Sequence, residues 1–138
     1  MQKIDPLTIK AYLETEYIVS GVSVLRLGIA NDELLNFYKK FKVDQAAFIT
    51  AYNPFSQFTE AAINAARQAE LAKELNQRSL SFFEGAGRPP TGGWPAEPSY
   101  FVLGLSRETA KKLGKKYNQN AIVWCGTDAV PELVLLRS

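Results

Sequence analysis

Glu97 is the carboxylate in this chain that is best placed for acid or base chemistry. It adjoins the strongly apolar segment 99–105, and partial burial there would raise the pKa of its carboxyl group into a range useful for proton transfer. Arg88 and Trp94 precede it on a stretch rich in glycine and proline, where a guanidinium and an indole can cover a planar ligand. In the structural alternative, Trp94 fills the core and Glu97 accepts hydrogen bonds from the amides of a tight turn.

The turn Asn53-Pro54-Phe55-Ser56 is a second candidate, because it ends an apolar segment and precedes a long helical one. A strand that ends at a helix N-terminus presents free backbone N–H groups and the positive end of the helix dipole, and both favour an anion. The side chains of Asn53 and Ser56 would add hydrogen bonds to such a ligand. The alternative is an Asn-Pro turn with a serine cap, which needs no ligand.

Polar side chains continue along the helix that follows this turn. Glu60, Asn64 and Arg67 recur at spacings of four and three residues, so they project from one face. If that face lines a cleft, the planar guanidinium of Arg67 would bind a phosphate or a carboxylate. If the face meets water, the three residues are ordinary helix surface.

Gln119 and Asn120 lie between a predicted helix and the strand that holds Trp124. Amide side chains at such a junction either bind the polar edge of a ligand or hold the backbone of the turn. Cys125 lies inside an apolar strand without a cationic neighbour in sequence, and we expect it to be an inert core thiol.

The composition excludes several kinds of site. The chain has 138 residues, 46% of them hydrophobic, with no histidine and one cysteine. This length predicts a single globular domain spanning residues 1–138. The missing histidines exclude Ser-His-Asp and Cys-His catalysis and imidazole metal sites, and one cysteine excludes a zinc-thiolate cluster within the chain. We therefore expect no metal and no other cofactor.

The charge balance argues against nucleic acid as a partner. Lys+Arg 16 and Asp+Glu 14 leave a net charge of +2, which is too small to attract nucleic acid by field alone. We expect the basic cluster at 111–116 to be a solvated helix face. The first residues lack the apolar core of a signal peptide, and no segment approaches the ~20 apolar residues of a membrane span. A cytoplasmic location without a membrane partner is the default expectation, and nothing in the sequence indicates a homo-oligomer.

Caps and periodicity predict the first elements. Asp5 before a proline starts a helix that runs to about residue 14. The segments 16–20 and 22–28 are rich in Val, Ile and Leu and are separated by a Ser-Gly turn, which predicts a β-hairpin. Asn31 caps a second helix, whose apolar residues recur on one face.

The middle of the chain predicts a buried strand and a long helix. The uncharged, mostly apolar segment 45–52 is typical of a strand covered on both faces. A helix from residue 56 or 59 to residue 77 follows, because the segment lacks Gly and Pro and is rich in helix formers. Its expected buried stripe is Ile63, Ala66, Leu71 and Leu75.

The region 85–98 holds four of the nine glycines and four of the seven prolines. It follows a short predicted strand at 80–83. We expect no regular element at that density, and a loop of this length in a small domain is either functional or disordered. The prolines and Trp94 argue against full disorder.

The remaining segments complete the predicted fold. A strand at 99–105 leads into a helix capped by Ser106, and Asn118 is expected in the left-handed conformation after that helix. Strands at 121–125 and 132–136 end the chain. The total of about six to seven strands and three to four helices predicts a layered α+β or α/β domain with a mixed sheet.

Four segments together resemble a known family, the small bacterial proteins classed as domain of unknown function 3293. They are the sequence from Ala47 to Ser56, Asn64 with Arg67, the stretch 93–99 running into 101–105, and the stretch 117–124. The resemblance covers roughly residues 15–124. The family has no assigned activity, so the resemblance implies no catalytic role. It implies only that the polar positions belong to the shared segments: Asn53, Ser56, Asn64, Arg67, Glu97, Gln119 and Asn120.

These observations leave three hypotheses about function. In the leading one, the chain binds a small anionic or nucleotide-like ligand in a pocket at the strand and helix ends, lined by Asn53, Ser56, Asn64, Arg67, Arg88, Trp94, Gln119 and Asn120. The second is a metal-independent hydrolase or transferase, in which Glu97 is the general acid or base and Arg67 stabilises developing negative charge. The third is a protein-interaction module that pairs through the loop around Trp94 or through the C-terminal hairpin. The sequence does not decide between an enzyme and a binding protein.

Overall fold

Six strands and four α-helices make up the part of the chain that the structure, a computed structural model, describes: residues 4–89 and 96–137. In chain order they are α1 (Pro6–Glu14), β1 (Glu16–Val19), α2 (Asp32–Phe41), β2 (Ala46–Ile49), a 3-10 turn (Pro54–Ser56), α3 (Ala61–Gln77), β3 (Phe82–Arg88), β4 (Glu97–Leu103), α4 (Arg107–Lys116), β5 (Ala121–Cys125) and β6 (Pro131–Leu135). This content confirms the α+β prediction. In these residues, no helix combines the length and the apolar character needed to cross a membrane.

The strands form one sheet in the order β1-β3-β4-β2-β5-β6. Its described pairs are antiparallel, whereas the sequence suggested a mixed sheet. The difference comes from β4. The connection through α3 leaves β2 and β3 running in the same direction, but β4 returns between them and pairs with both.

The two faces of the sheet carry separate apolar cores. One face packs against α2, and this core includes Leu34, Phe37, Phe48, Phe101 and Val123. The opposite face packs against α3 and α4, and that core includes Ala47, Leu71, Val102, Leu113 and Ile122. β2 contributes to both cores and all four of its residues are buried, which confirms that this strand is covered on both faces.

The segment after β1 joins the two edges of the sheet and does not form the second strand of the predicted hairpin. Leu25 makes an isolated antiparallel bridge with Tyr17 on β1. A few residues later, the Gly28 amide donates to the Pro131 carbonyl at the start of β6, with an N–O distance of 2.8 Å. Because one segment bonds to both edge strands, the sheet curls and its two edges approach each other.

α3 presents a face to the sheet that differs from the expected one. Its buried positions lie about one turn apart: Asn64, Gln68, Leu71 and Leu75. Ile63, which is 50% exposed, and Ala66 were expected in this stripe but lie on the outer side. The reason is polar: the Gln68 side-chain oxygen accepts from the Ala51 amide at 2.8 Å, so hydrogen bonding to the end of β2 sets the rotation of the helix.

β3 extends through residues that were expected to be irregular. It continues to Arg88, and β4 already begins at Glu97, so the prediction of a loop over 85–98 is wrong at both ends. Gly85 pairs with Val19 on β1 and with Ser99 on β4. Glycine fits there because neighbouring atoms occupy the place of a side chain, and its presence does not indicate a turn.

The predicted caps are confirmed. The side chains of Asp5, Asn31 and Ser106 accept from the backbone amides of Leu7, Leu34 and Thr109, at 2.8, 3.0 and 3.2 Å. Asn118 is left-handed, with φ of 58°. Cys125 is fully buried, and burial raises the pKa of its thiol to about 12, which agrees with an inert core residue.

Two glycines of β3 provide a matched test of this packing. A Cβ atom on Gly85 would lie 2.6 Å from the Ile18 carbonyl oxygen and 2.9 Å from a ring carbon of Phe48, whereas a Cβ atom on Gly87 would meet its nearest neighbour, Thr15, at 3.5 Å. We expect Gly85→Ala to lower the free energy of unfolding by about 2 kcal/mol and Gly87→Ala to change it by less than about 1 kcal/mol. Urea unfolding of both variants checks this, and equal losses would contradict the packing described.

Candidate functional site

A cavity of about 350 Å³ lies between α1 and the sheet face that also carries α2. One face of α1, with residues 7, 8, 11 and 12, forms its roof together with Thr15, which follows the helix. The apolar floor and walls come from the strands and include Tyr17, Phe48, Val123 and Leu133. A cavity of this volume falls in the range of about 300–1,000 Å³ that is usual for small-molecule sites.

Glu97, the first residue of β4, lines this cavity. Its neighbour across the sheet is Gly87, whose next partner is Tyr17, so Glu97 and Tyr17 flank a position without a side chain. The Glu97 carboxylate accepts a hydrogen bond from the Asn53 side-chain amide at 3.2 Å. Burial raises the pKa of Glu97 to about 7, against the smaller lowering effect of that hydrogen bond. The carboxyl group can therefore gain or lose a proton near neutral pH.

Asn53 and Asn64 hold each other by a reciprocal pair of hydrogen bonds. The Asn64 oxygen accepts from the Asn53 backbone amide at 2.8 Å, and the Asn64 amide donates to the Asn53 side-chain oxygen at 2.9 Å. That same oxygen also accepts from the Thr59 backbone amide at 3.1 Å. These bonds orient the Asn53 side chain, so its remaining amide group faces Glu97.

The turn that carries Asn53 has an unusual backbone. Asn53, Phe55 and Ser56 have φ values of 44°, 55° and 59°, and left-handed φ is uncommon for residues other than glycine, above all for a bulky one. Such conformations persist when the surrounding contacts hold them, and they occur often at functional sites. Here the Phe55 amide donates to the Asn118 carbonyl at 2.7 Å, which ties this turn to the one after α4.

Ser56 joins three elements at the edge of the cavity. Its hydroxyl is hydrogen-bonded to the Tyr12 hydroxyl on α1, and the Asn120 amide donates to both oxygens, at 3.1 Å to Ser56 and 3.3 Å to Tyr12. The Asn120 side-chain oxygen is buried and has no partner among the described residues. Both hydroxyl groups line the cavity.

Arg67 and Gln119 hold the same two turns through hydrogen bonds to backbone carbonyl groups. The Arg67 guanidinium donates to the carbonyl groups of Ala51 and Tyr117, at 3.3 and 2.9 Å. The Gln119 amide donates to the carbonyls of Tyr52 and Tyr117, at 3.1 and 3.2 Å. Both side chains fasten the end of β2 to the turn after α4, although Gln119 also lines the cavity.

The structure thus brings most of the sequence-selected residues together in one hydrogen-bonded region, and three of them line the cavity: Ser56, Glu97 and Gln119. It does not place Arg67 there, because α3 packs on the opposite face of the sheet and its guanidinium binds backbone carbonyls. Arg88 forms an ion pair with Glu16. Trp94 lies outside the described residues. In the described part of the chain, no group of His, Cys, Asp or Glu side chains is arranged to hold a metal ion.

Gln68 and Tyr12 belong to this hydrogen-bonded region but were not selected from the sequence. Gln68 lies one helical turn after Asn64, so the spacing of amide side chains on the helix could have revealed it. Tyr12 carried no such signal, because its partners are 44 and 108 residues away in the chain and no local pattern indicates where α1 packs.

The raised pKa of Glu97 predicts how stability depends on pH. The ordinary pKa of the group is 4.5, so between about pH 4.5 and 7 the unfolded chain binds fewer protons than the folded chain. The free energy of unfolding should therefore fall as pH rises through this window, by at most about 3 kcal/mol. Glu97→Gln should remove most of the fall, because a glutamine side chain does not titrate. The hydrogen bond from Asn53 can be kept, since the glutamine side-chain oxygen still accepts.

Urea unfolding at a series of pH values across this window measures the effect. The chain has no histidine, so few other groups titrate there. Glu84→Gln, at an exposed position on β3, makes the same change in charge and should keep the slope of the parent. A slope that persists unchanged in Glu97→Gln would show that this carboxyl group titrates normally.

Comparison with known proteins gives a family without an assigned activity. No curated protein and no solved structure matches the chain. The family described as "Protein of unknown function (DUF3293)" matches residues 49–122, more than half of the chain, and the match spans Asn53, Glu97 and Gln119. This confirms the resemblance seen in the sequence, and the chain belongs to that family of proteins of unknown function.

Proposed function

We propose that this protein is a small-molecule-binding domain and that the cavity under α1 is its site. The observation that carries the proposal is the makeup of the cavity: an apolar floor and walls, with a few polar groups that converge from different elements. Sites for small ligands have this composition, because apolar surface supplies affinity and a few fixed polar groups supply orientation. Glu97, Ser56 and Gln119 are the sequence-selected residues that would contact the ligand.

The surroundings of the two arginines change the expected ligand. An anionic or nucleotide-like ligand was inferred from Arg67 and Arg88, yet both guanidinium groups are bound elsewhere in the protein. A phosphate in the cavity would face the Glu97 carboxyl group, and burying an anion without a cationic partner is costly. The geometry therefore favours a compact, largely apolar ligand over a nucleotide.

Filling the cavity tests the proposal. A larger side chain at Gly87, which lines the cavity and has φ outside the left-handed region, should occupy the ligand's place. Uncharged aromatic probes such as indole, phenol and 2-phenylethanol should shift backbone amide NMR signals of cavity residues in the parent, and Gly87→Leu should abolish these shifts. Ala86→Leu adds the same side chain on the opposite face of β3 and should leave binding intact. Probe binding that survives in Gly87→Leu would contradict the assignment of the cavity.

Acid-base catalysis by Glu97 is the second candidate function. It is favoured by one observation, a carboxyl group with a pKa of about 7 inside a cavity of ligand size. A panel of nitrophenyl esters, glycosides and phosphoesters would test for turnover. The hypothesis predicts a rate that depends on one group titrating near pH 7 and a loss of at least about a hundredfold in Glu97→Gln. If the probes bind but none is converted, the catalytic hypothesis is wrong and only the binding role remains.

The location and partners expected from the sequence belong to the proposal as well. We propose a cytoplasmic location in a bacterium; the single cysteine, Cys125, is buried, which is compatible with a reducing compartment, and cell fractionation tests the location. An interaction role for the segment around Trp94 predicts a mass that depends on concentration and that returns to the monomer value in Trp94→Ala. A monomer at all concentrations, without a co-purifying protein, would remove that role.

A further inference from the structure

We propose that the cavity under α1 binds a small organic amine as its ammonium ion, with the nitrogen against Glu97 and the apolar part against the sheet. This inference rests on the proposed function above and names the chemical class of its ligand. It follows from the hydrogen-bonding groups that the protein leaves available, from the charges that line the cavity, and from its aromatic walls.

Most hydrogen-bond donors around the cavity are already bound within the protein. Backbone carbonyl groups accept from the side chains of Thr15, Tyr17, Thr50, Ser99 and Gln119. Tyr12 and Ser56 bond to each other while both accept from Asn120, so this pair keeps a single hydroxyl hydrogen. Thr8 has the other available hydrogen among the described lining residues, and hydroxyl groups can accept as well as donate.

Around the cavity, oxygen atoms that could accept a hydrogen bond outnumber the hydrogens that remain available for donation. Asn53 donates to one Glu97 oxygen, and the second has no donor among the described residues. The side-chain oxygen of Gln119, which also lines the cavity, likewise has no donor among the described residues. The Oδ1 atom of the adjoining Asn120 is buried without a partner, although Asn120 itself does not line the cavity. The free oxygens of Glu97 and Gln119 are accessible from the cavity, so this surplus of acceptors is complementary to a ligand rich in N–H donors. An ammonium group presents three donors and no acceptor.

Charge selects an amine over an uncharged donor. Glu97 is the one carboxyl group among the described residues that line the cavity, and these residues include no lysine or arginine. The sequence at 90–95 also contains no charged residue. A carboxylate in an apolar cavity is stabilised by an opposite charge at contact distance. A carboxylate or phosphate ligand would instead place like charges together.

The walls suit the same ligand. The rings of Tyr17 and Phe48 both line the cavity, with centroids 5.5 Å apart. Aromatic faces attract a cation within about 6 Å, and they also pack against the carbon skeleton that carries it. Gly87, between Tyr17 and Glu97 in the register of the sheet, lines the cavity without a side chain, and the Tyr17 ring lies beside it.

Three probes of matched shape test the ligand class: 2-phenylethylamine, 2-phenylethanol and 3-phenylpropanoate. Each is titrated into the isotope-labelled full chain at about pH 8, where Glu97 is ionised and the amine is protonated. We expect the amine to bind at least about tenfold more tightly than the alcohol, and the carboxylate to bind most weakly. Glu97→Gln should bring the amine to the affinity of the alcohol, and the control Glu84→Gln should keep the full difference.

The outcomes separate this inference from the function on which it rests. If the alcohol or the carboxylate binds as tightly as the amine and Gly87→Leu blocks that binding, the cavity is a binding site but the amine assignment is wrong. If none of the three probes binds, or if Gly87→Leu changes nothing, both proposals fail. Equal losses of amine affinity in Glu97→Gln and Glu84→Gln would also overturn the inference, because the effect would then be one of net charge.

Discussion

The site depends on one constraint, the left-handed turn that follows β2. Three of its residues have positive φ, and none of them is glycine, so the conformation needs outside support. Asn64 supports Asn53 through their paired hydrogen bonds, and the Asn118 carbonyl and the Asn120 amide hold Phe55 and Ser56. Because the turn is held in this form, the Asn53 amide meets Glu97 on one side and the Ser56 hydroxyl meets Tyr12 on the other.

This arrangement gives the polar residues two different roles. Asn64, Gln68 and Arg67 lie on α3 and bind the backbone around the end of β2. Glu97, by contrast, has one oxygen on Asn53 and borders the cavity. Residues that define the family segments are therefore mainly a scaffold, which orients the Glu97 carboxyl group and the Ser56 hydroxyl group. A rigid support of this kind is what a precise polar site requires.

Local sequence signals predicted the elements well and their packing less well. Caps such as Asp5, Asn31 and Ser106 depend on neighbours within three residues, and all three are confirmed. The position of Glu97 beside an apolar strand also predicted its burial and raised pKa correctly. Each of these inferences needed only short-range information.

The misassigned features depend on distant parts of the chain. The glycines of β3 were interpreted as a loop, because only the close approach of Ile18 and Phe48 shows that the strand needs glycine at position 85. Arg67 was expected to bind a ligand, but its partners include a carbonyl 50 residues away. The antiparallel sheet likewise results from β4 inserting between β2 and β3, which no local pattern encodes.

The exposure of α1 has a kinetic consequence. None of its nine residues is buried, and an isolated helix of that length is marginal in water. It is anchored by its Asp5 cap, by the buried Ile4 before it and by the Tyr12 hydroxyl. Local opening of this helix thus requires far less free energy than opening of the sheet, and its amides should exchange with solvent sooner than those of β2. If the cavity holds a ligand, as proposed, departure of this helix would govern the residence time of that ligand, while the sheet stays closed.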